Sequence, residues 1–156
     1  MIGVPGRTTL RRLLALLISL IVSVGIAVAS TDDADVVVIT HPSVSATTFS
    51  LSENRVRAIF GLQVRHWPDG RAIRVFVFPD DSSLHHQFTK QFLGMYPYQL
   101  RRRWDRILFS GRGIAPTEIS TSDEMVRQIA NTPGAIGYVD RAATIAMPVL
   151  RIWIDD

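Results

Sequence analysis

Two apolar stretches most restrict the folds that this chain can adopt. Each is followed by polar residues and then by a segment with helical periodicity. The first, VVVIT at residues 36–40, is a β-branched run that is typical of a buried strand. The second, AIRVFVF at residues 72–78, precedes Leu84, Phe88 and Phe92, whose four-residue spacing puts them on one helix face. This alternation of strands and helices predicts an α/β fold, with a mixed or parallel sheet flanked by helices.

The remaining segments continue the alternation. We predict a helix capped by Ser50 or Ser52 and stopped at Gly61, a helix begun at Pro97, a loop at 109–116, a helix capped by Ser122, a strand at 135–139 and an extended segment at 145–154. Leu84, Phe88 and Phe92 are expected to be buried. The inner face of the helix begun at Pro97 is expected to carry Leu100, Trp104, Ile107 and Leu108.

The first 29 residues have the pattern of an export leader. Arg7, Arg11 and Arg12 precede an apolar run at 13–28, and residues 27–29 (AVA) supply the small residues of a cleavage site. We therefore predict a signal peptide at 1–29, a substrate-binding-like domain at 30–156 and a periplasmic location. An uncleaved N-terminal membrane anchor is the alternative, although the apolar run is shorter than a span of ~20 residues.

The charge balance argues against a nucleic-acid partner. The chain has 17 basic and 14 acidic residues, but three basic residues and no acidic ones lie in the leader, which leaves 14 of each beyond it. A net charge of zero is not that of a nucleic-acid-binding domain. The chain has no cysteine, so disulfides and cysteine-based metal sites are excluded and a hydrophobic core must stabilise the fold.

The turn FPDDSSLHHQF at residues 78–88 is the first candidate site. It is predicted to join a strand to a helix, and a helix N-terminus there offers free N–H groups and partial positive charge to an anion. Ser82 and Ser83 can add hydroxyl donors, whereas Asp80 and Asp81 would repel a fully ionised ligand. A plain helix cap and an anion cradle both remain open interpretations of this turn.

Three other features are candidates for ligand or metal binding. The loop SGRG at 110–113 has two glycines that permit close approach to a ligand, and Arg112 can bind phosphate or carboxylate. Residues 101–103 (RRR) are interpreted as a solvated helix face, and the four histidines as surface or cap residues, so no metal or cofactor is predicted. Because no nucleophile elbow or phosphate-binding glycine loop occurs, no enzymatic activity is predicted.

Several motifs together resemble a known family. These are the strand and turn at 37–42, Leu51-Ser52, the Ile-Phe-Gly sequence at 59–61, Trp67 with its turn to Gly70, and GAIGYV at 134–139. They resemble the second lobe of periplasmic phosphate-binding proteins, the type II substrate-binding components of ABC transporters. The resemblance covers about residues 36–139, and it implies a single-lobe short form, because the family is a two-lobed clamp.

The resemblance places a phosphate-binding loop on the turn at 78–88. The family motif Arg-Ser-Asp-Gly-Ser-Gly-Thr puts its Asp on Asp80 and its first loop Ser on Ser82, while Phe78, Asp81, Ser83 and Leu84 depart from it. The resemblance implies ligand contacts at Asp80 and Ser82. The free N–H groups of the predicted helix start add Ser83 and Leu84, and Arg112 of the loop at 110–113 is predicted to close over the ligand.

The implied function is an exported binding protein for phosphate or a similar small oxyanion, with a membrane transporter or sensor as partner. The alternative is an interaction module that keeps the fold and has lost ligand binding, a reading that the replacements at Phe78 and Asp81 favour.

Overall fold

The computed structural model describes residues 35–44, 51–146 and 150–152. The elements in chain order are β1 (Val36–Thr40), α1 (Glu53–Phe60), β2 (Arg74–Val77), α2 (Ser83–Leu93), α3 (Pro97–Phe109), β3 (Thr117–Glu118), α4 (Ser122–Asn131), β4 (Ala135–Asp140), a 3-10 helix (Arg141–Ala146) and β5 (Leu150–Ile152).

Within these described residues, the strands form one mixed sheet of five, in the order β3-β2-β4-β1-β5. β2 runs parallel to both β3 and β4, whereas β1 runs antiparallel to β4 and β5. The register pairs Val38 with Tyr138 and Val75 with Ile136. The predicted α/β fold with a mixed sheet and flanking helices is confirmed.

β4 is the most buried strand, because helices pack on both of its faces. On one face, a Cβ at Gly137 would come within 2.7 Å of Ile129 and 2.9 Å of Met125, so glycine is what lets α4 lie directly on the strand. On the opposite face, the Tyr138 ring stacks on Phe88 of α2, with 3.8 Å between the ring centroids. The neighbouring residues of the strand point to opposite faces, as the pleat requires.

The predicted helix faces are largely confirmed. Leu84 and Phe88 are buried, and Phe92 is half-buried against the same core. Gly94 ends α2 with a left-handed φ of 63°, which glycine adopts at little steric cost. On α3, which begins at Pro97 as predicted, Leu100 and Trp104 are buried and Ile107 and Leu108 are half-buried.

Some predicted boundaries were wrong. The cap of α4 is Thr121, whose hydroxyl accepts a hydrogen bond from the Glu124 N–H at 3.3 Å, while Ser122 instead donates to Asp140 at 3.0 Å. Helix α3 continues through Phe109, so the predicted loop begins one residue later. The two-residue strand β3 was missed because both of its residues are exposed and polar.

The C-terminal prediction is confirmed in part. The predicted extended segment at 145–154 contains β5, which lies at the edge of the sheet, but residues 145 and 146 belong to the 3-10 helix. Pro148, the predicted leader and the predicted cleavage site lie outside the described residues. Among the residues that are described, no helix is long and apolar enough to cross a membrane.

Candidate functional site

A tight turn joins the end of β2 to the start of α2. The Ser82 N–H donates to the Pro79 carbonyl at 3.0 Å, which closes the turn and leaves Asp80 and Asp81 at its tip. Ser82 is the N-cap residue of α2, and its carbonyl accepts the hydrogen bond of the His86 N–H at 3.0 Å. The strand, turn and helix start expected in this stretch are therefore present.

The N-cap residue of α2 does not cap the helix with its side chain. The Ser82 side chain makes no capping hydrogen bond, and the first turn of the helix carries no acidic residue. Helix geometry gives the N–H groups of Ser83, Leu84 and His85 no intrahelical partner. This end of α2 therefore presents free donors together with the positive end of the helix dipole.

Arg101 of α3 binds the turn through Asp80. Its Nε and Nη2 atoms donate to the two Asp80 carboxylate oxygens, each at 2.9 Å, and Nη2 also donates to Glu118 of β3 at 2.5 Å. The hydrogen bond to Asp80 raises the pKa of Arg101, and its guanidinium lies 5.1 Å from the Trp104 ring. The interpretation of this arginine run as a solvated face is wrong for Arg101, although Arg102 is exposed.

His85 is fully buried beneath the turn. The Phe78 N–H donates to the Tyr138 hydroxyl at 3.0 Å, and the same hydroxyl is hydrogen-bonded to His85 Nδ1. Because the hydroxyl already accepts from Phe78, it is assigned as the donor to Nδ1. The proton of the neutral ring is then assigned to Nε2, which lies 3.6 Å from Asp80 Oδ1, too far for a hydrogen bond, and which has no hydrogen-bond partner among the described residues. Burial lowers the pKa of His85 to about 4, an effect that the Asp80 carboxylate only partly offsets. His85 is therefore a core histidine, and its prediction as a surface or cap residue was wrong.

These contacts form two adjacent groups of polar side chains beneath and beside the turn. Hydrogen bonds connect the Phe78 backbone to Tyr138 and Tyr138 to His85, and an ion pair connects Asp80 to Arg101, while His85 Nε2 and Asp80 Oδ1 lie 3.6 Å apart without a hydrogen bond between them. Burial raises the pKa of the Tyr138 hydroxyl, which therefore remains a proton donor at neutral pH. The turn lies at the carboxyl end of β2, the edge at which open α/β sheets bind ligands.

Residues 33–153 match a family model described as a PBP superfamily domain. The chain belongs to the PBP superfamily. This confirms the resemblance that the sequence motifs predicted, and no curated protein matches the sequence.

Two solved structures of other proteins have a similar fold. PstS from Borrelia burgdorferi superimposes with a TM-score of 0.60 at 12% identity, over 78% of this chain and 47% of that one. A possible phosphate binding protein from Planctomyces limnophilus gives a TM-score of 0.56 at 16% identity, over 78% and 42%. The PBP domain thus spans about half the length of these proteins, which agrees with a single-lobe short form.

The structure brings four of the five predicted site residues together. Asp80, Ser82, Ser83 and Leu84 lie in the turn and the first turn of α2, where Ser83 is exposed and the Leu84 side chain is buried in the core. The Leu84 side chain is therefore not available to a ligand, and only its backbone N–H is. Arg112 lies on the loop after α3 and lines a different cavity, whose walls include none of the other four. Ligand binding by these residues stays a prediction.

Sequence reasoning missed the side chains that position the site. His85 lies on the same helical stripe as Phe88 and Phe92, at spacings of three and seven residues, and this pattern could have marked it as buried. Tyr138 lies within the GAIGYV motif, but nothing local indicates that its hydroxyl contacts His85. Arg101 carried no local signal, because its carboxylate partner lies 21 residues away in the sequence.

Proposed function

We propose that this PBP domain is an exported binding protein that holds phosphate, or a similar small oxyanion, at the start of α2. The observation that carries the proposal is the uncapped helix N-terminus beside an Asp80 carboxylate already paired with Arg101. A membrane transporter or sensor is the partner that we infer for such a protein.

The pairing of Asp80 with Arg101 supports the proposal on electrostatic grounds. A free carboxylate at this turn would repel an anion, whereas a bidentate ion pair largely cancels its charge. The Nη1 group of Arg101 has no hydrogen-bond partner among the described residues, so it can donate to a ligand. Arg101 can thereby supply the cation that the family motif carries at the position of Phe78.

The ligand contacts follow from this arrangement. The N–H groups of Ser83, Leu84 and His85 point out of the helix end, and the uncommitted Ser82 hydroxyl lies next to them. A phosphate in this position accepts these donors together with Arg101 Nη1. Asp80 can accept the proton of a singly protonated phosphate, which favours that form over the fully ionised one.

Binding at this site is expected to be weak. Asp81 is exposed at the tip of the turn and Glu118 lies beside Arg101, so two carboxylates oppose a strongly charged ligand. A single lobe also leaves the ligand open to water, where each hydrogen bond is worth less. We expect a dissociation constant between micromolar and millimolar, or about −4 to −8 kcal/mol.

Two substitutions in the turn test the site. Ser82→Ala is expected to weaken phosphate binding by about 1–2 kcal/mol, the value of one lost hydrogen bond. Asp81→Gly is expected to strengthen binding, because it removes a repulsive charge at the tip of the turn. Calorimetric titration of the purified protein with phosphate, and with sulfate for comparison, measures both effects.

Ser52→Ala is the matched control. Ser52 is the N-cap residue of α1, adopts a similar extended conformation and likewise makes no side-chain cap bond. Its removal is expected to leave phosphate binding unchanged. Equal losses in Ser52→Ala and Ser82→Ala, or a phosphate titration that is flat in every variant, would contradict the proposal.

The second candidate is an interaction module that keeps the fold without a ligand. Exposed aromatic side chains on and beside α3 favour it. Tyr96 and Tyr98 stack at 6.0 Å near the start of the helix, and Phe109 at its end is 91% exposed. Exposed aromatic residues are enriched where proteins bind partners. If titration with phosphate shows no binding, the interaction module is the better explanation of the fold.

A further inference from the structure

A cavity of about 360 Å³ lies beside β2, and none of the residues of the turn lines it. Leu62 and Phe76 are buried in its wall, and Ile73 is partly buried there. The loop that follows α3 forms another side and ends at Thr117. The volume of the cavity falls within the range of ~300–1,000 Å³ that is usual for small-molecule sites.

Backbone features at two positions shape this cavity. Leu62 has a φ of 57°, which is uncommon for a residue other than glycine, and strained positions of this kind recur at ligand sites. Gly113 packs against α3 so closely that a Cβ there would approach Ile107 within 2.8 Å. The loop after α3 is thus held close to the end of that helix, and Arg112 on this loop lies at the rim of the cavity.

The charges around the cavity are all of one sign. Arg65, Arg74 and Arg112 line it, and none of the lining residues is acidic. Within the described part of the chain, none of these three guanidinium groups lies within ion-pair distance of a carboxylate, unlike that of Arg57 or Arg101. An Arg65 N–H group instead donates to the Arg112 carbonyl, which fastens the loop to the hairpin that precedes β2.

We propose that this cavity binds a small monocarboxylate with an apolar tail. The tail would contact the apolar wall around Leu62, Ile73 and Phe76, and the carboxylate would accept hydrogen bonds from Arg112 and Arg74 at the rim. The apolar wall disfavours sugars and inorganic dianions, since neither has an apolar part to cover it. This site is independent of the oxyanion site proposed above, with which it shares no residue of the turn.

Calorimetric titration of the purified protein with octanoate tests the proposal. Acetate lacks the tail and 1-octanol lacks the charge, so each is expected to bind at least about ten-fold more weakly than octanoate, the effect of ~1.4 kcal/mol. Saturating phosphate is expected to leave octanoate affinity unchanged. Displacement by phosphate would contradict a separate site, whereas failure of phosphate to bind would leave the octanoate result intact.

Arginine variants locate the ligand. Arg112→Gln and Arg74→Gln are each expected to weaken octanoate binding about ten-fold, as loss of a hydrogen bond to a charged group does. Arg106→Gln is the control, because Arg106 is exposed on α3 and does not line this cavity. An equal loss in Arg106→Gln, equal binding of octanol and octanoate, or no saturable binding of octanoate would overturn the proposal.

Discussion

Replacing Phe88 with alanine is expected to lower the free energy of unfolding by about 3–5 kcal/mol, the usual cost of deleting a buried aromatic ring. Phe88 is fully buried, and its ring stacks on Tyr138 and lies 4.6 Å from the Phe60 ring centroid. The substitution would therefore leave a cavity between α1, α2 and β4. Chemical denaturation of wild type and variant measures the difference.

Phe109→Ala provides the control for this experiment. Phe109 is 91% exposed at the end of α3, so its removal is expected to change stability by less than about 0.5 kcal/mol. A loss below ~1 kcal/mol for Phe88→Ala would show that the inner face of α2 is wrongly assigned.

The second large effect is a loss of stability in mild acid caused by His85. Its pKa is about 4 in the fold and is expected near its ordinary value of 6.5 in the unfolded chain, so the unfolded state binds the proton more tightly. Stability from this group is complete above about pH 6.5 and declines as the pH falls toward 4. Between about pH 7.5 and 5 the expected loss is about 2 kcal/mol.

Comparison with His85→Gln isolates this contribution from that of other groups. Glutamine can accept the Tyr138 hydroxyl hydrogen bond but does not titrate, so its stability should depend less on pH than that of wild type. His86→Gln is the matched substitution, because it replaces an exposed histidine of the same helix and leaves the buried His85 ring in place. Equal slopes of unfolding free energy against pH in wild type and His85→Gln would contradict a buried neutral histidine.

The fold was predictable because its signals are local. A β-branched run gives β1, and a four-residue apolar spacing gives α2. Pro97 and Gly94 mark a helix start and a helix end by backbone geometry alone. These patterns depend on neighbours within one or two turns, so the sequence carries them without knowledge of tertiary packing.

The electrostatics of the site were not predictable in the same way. Asp80 looked like an unpaired repulsive charge, because only the packing of α3 beside the turn brings Arg101 to it. The burial of His85 had a local signal in its spacing from Phe88 and Phe92, but its hydrogen bond did not, because the Tyr138 hydroxyl comes from a strand 53 residues later. Both contacts connect distant segments, and no local pattern specifies such a pairing.

The central claim, that the start of α2 holds an oxyanion, is tested most directly by nuclear magnetic resonance of isotope-labelled protein during phosphate titration. The account predicts saturable shifts of the backbone amide signals of Ser83, Leu84 and His85, and none at residues 53–55 in the first turn of α1. Amide signals that stay in place, or that shift equally at both helix starts, would contradict it.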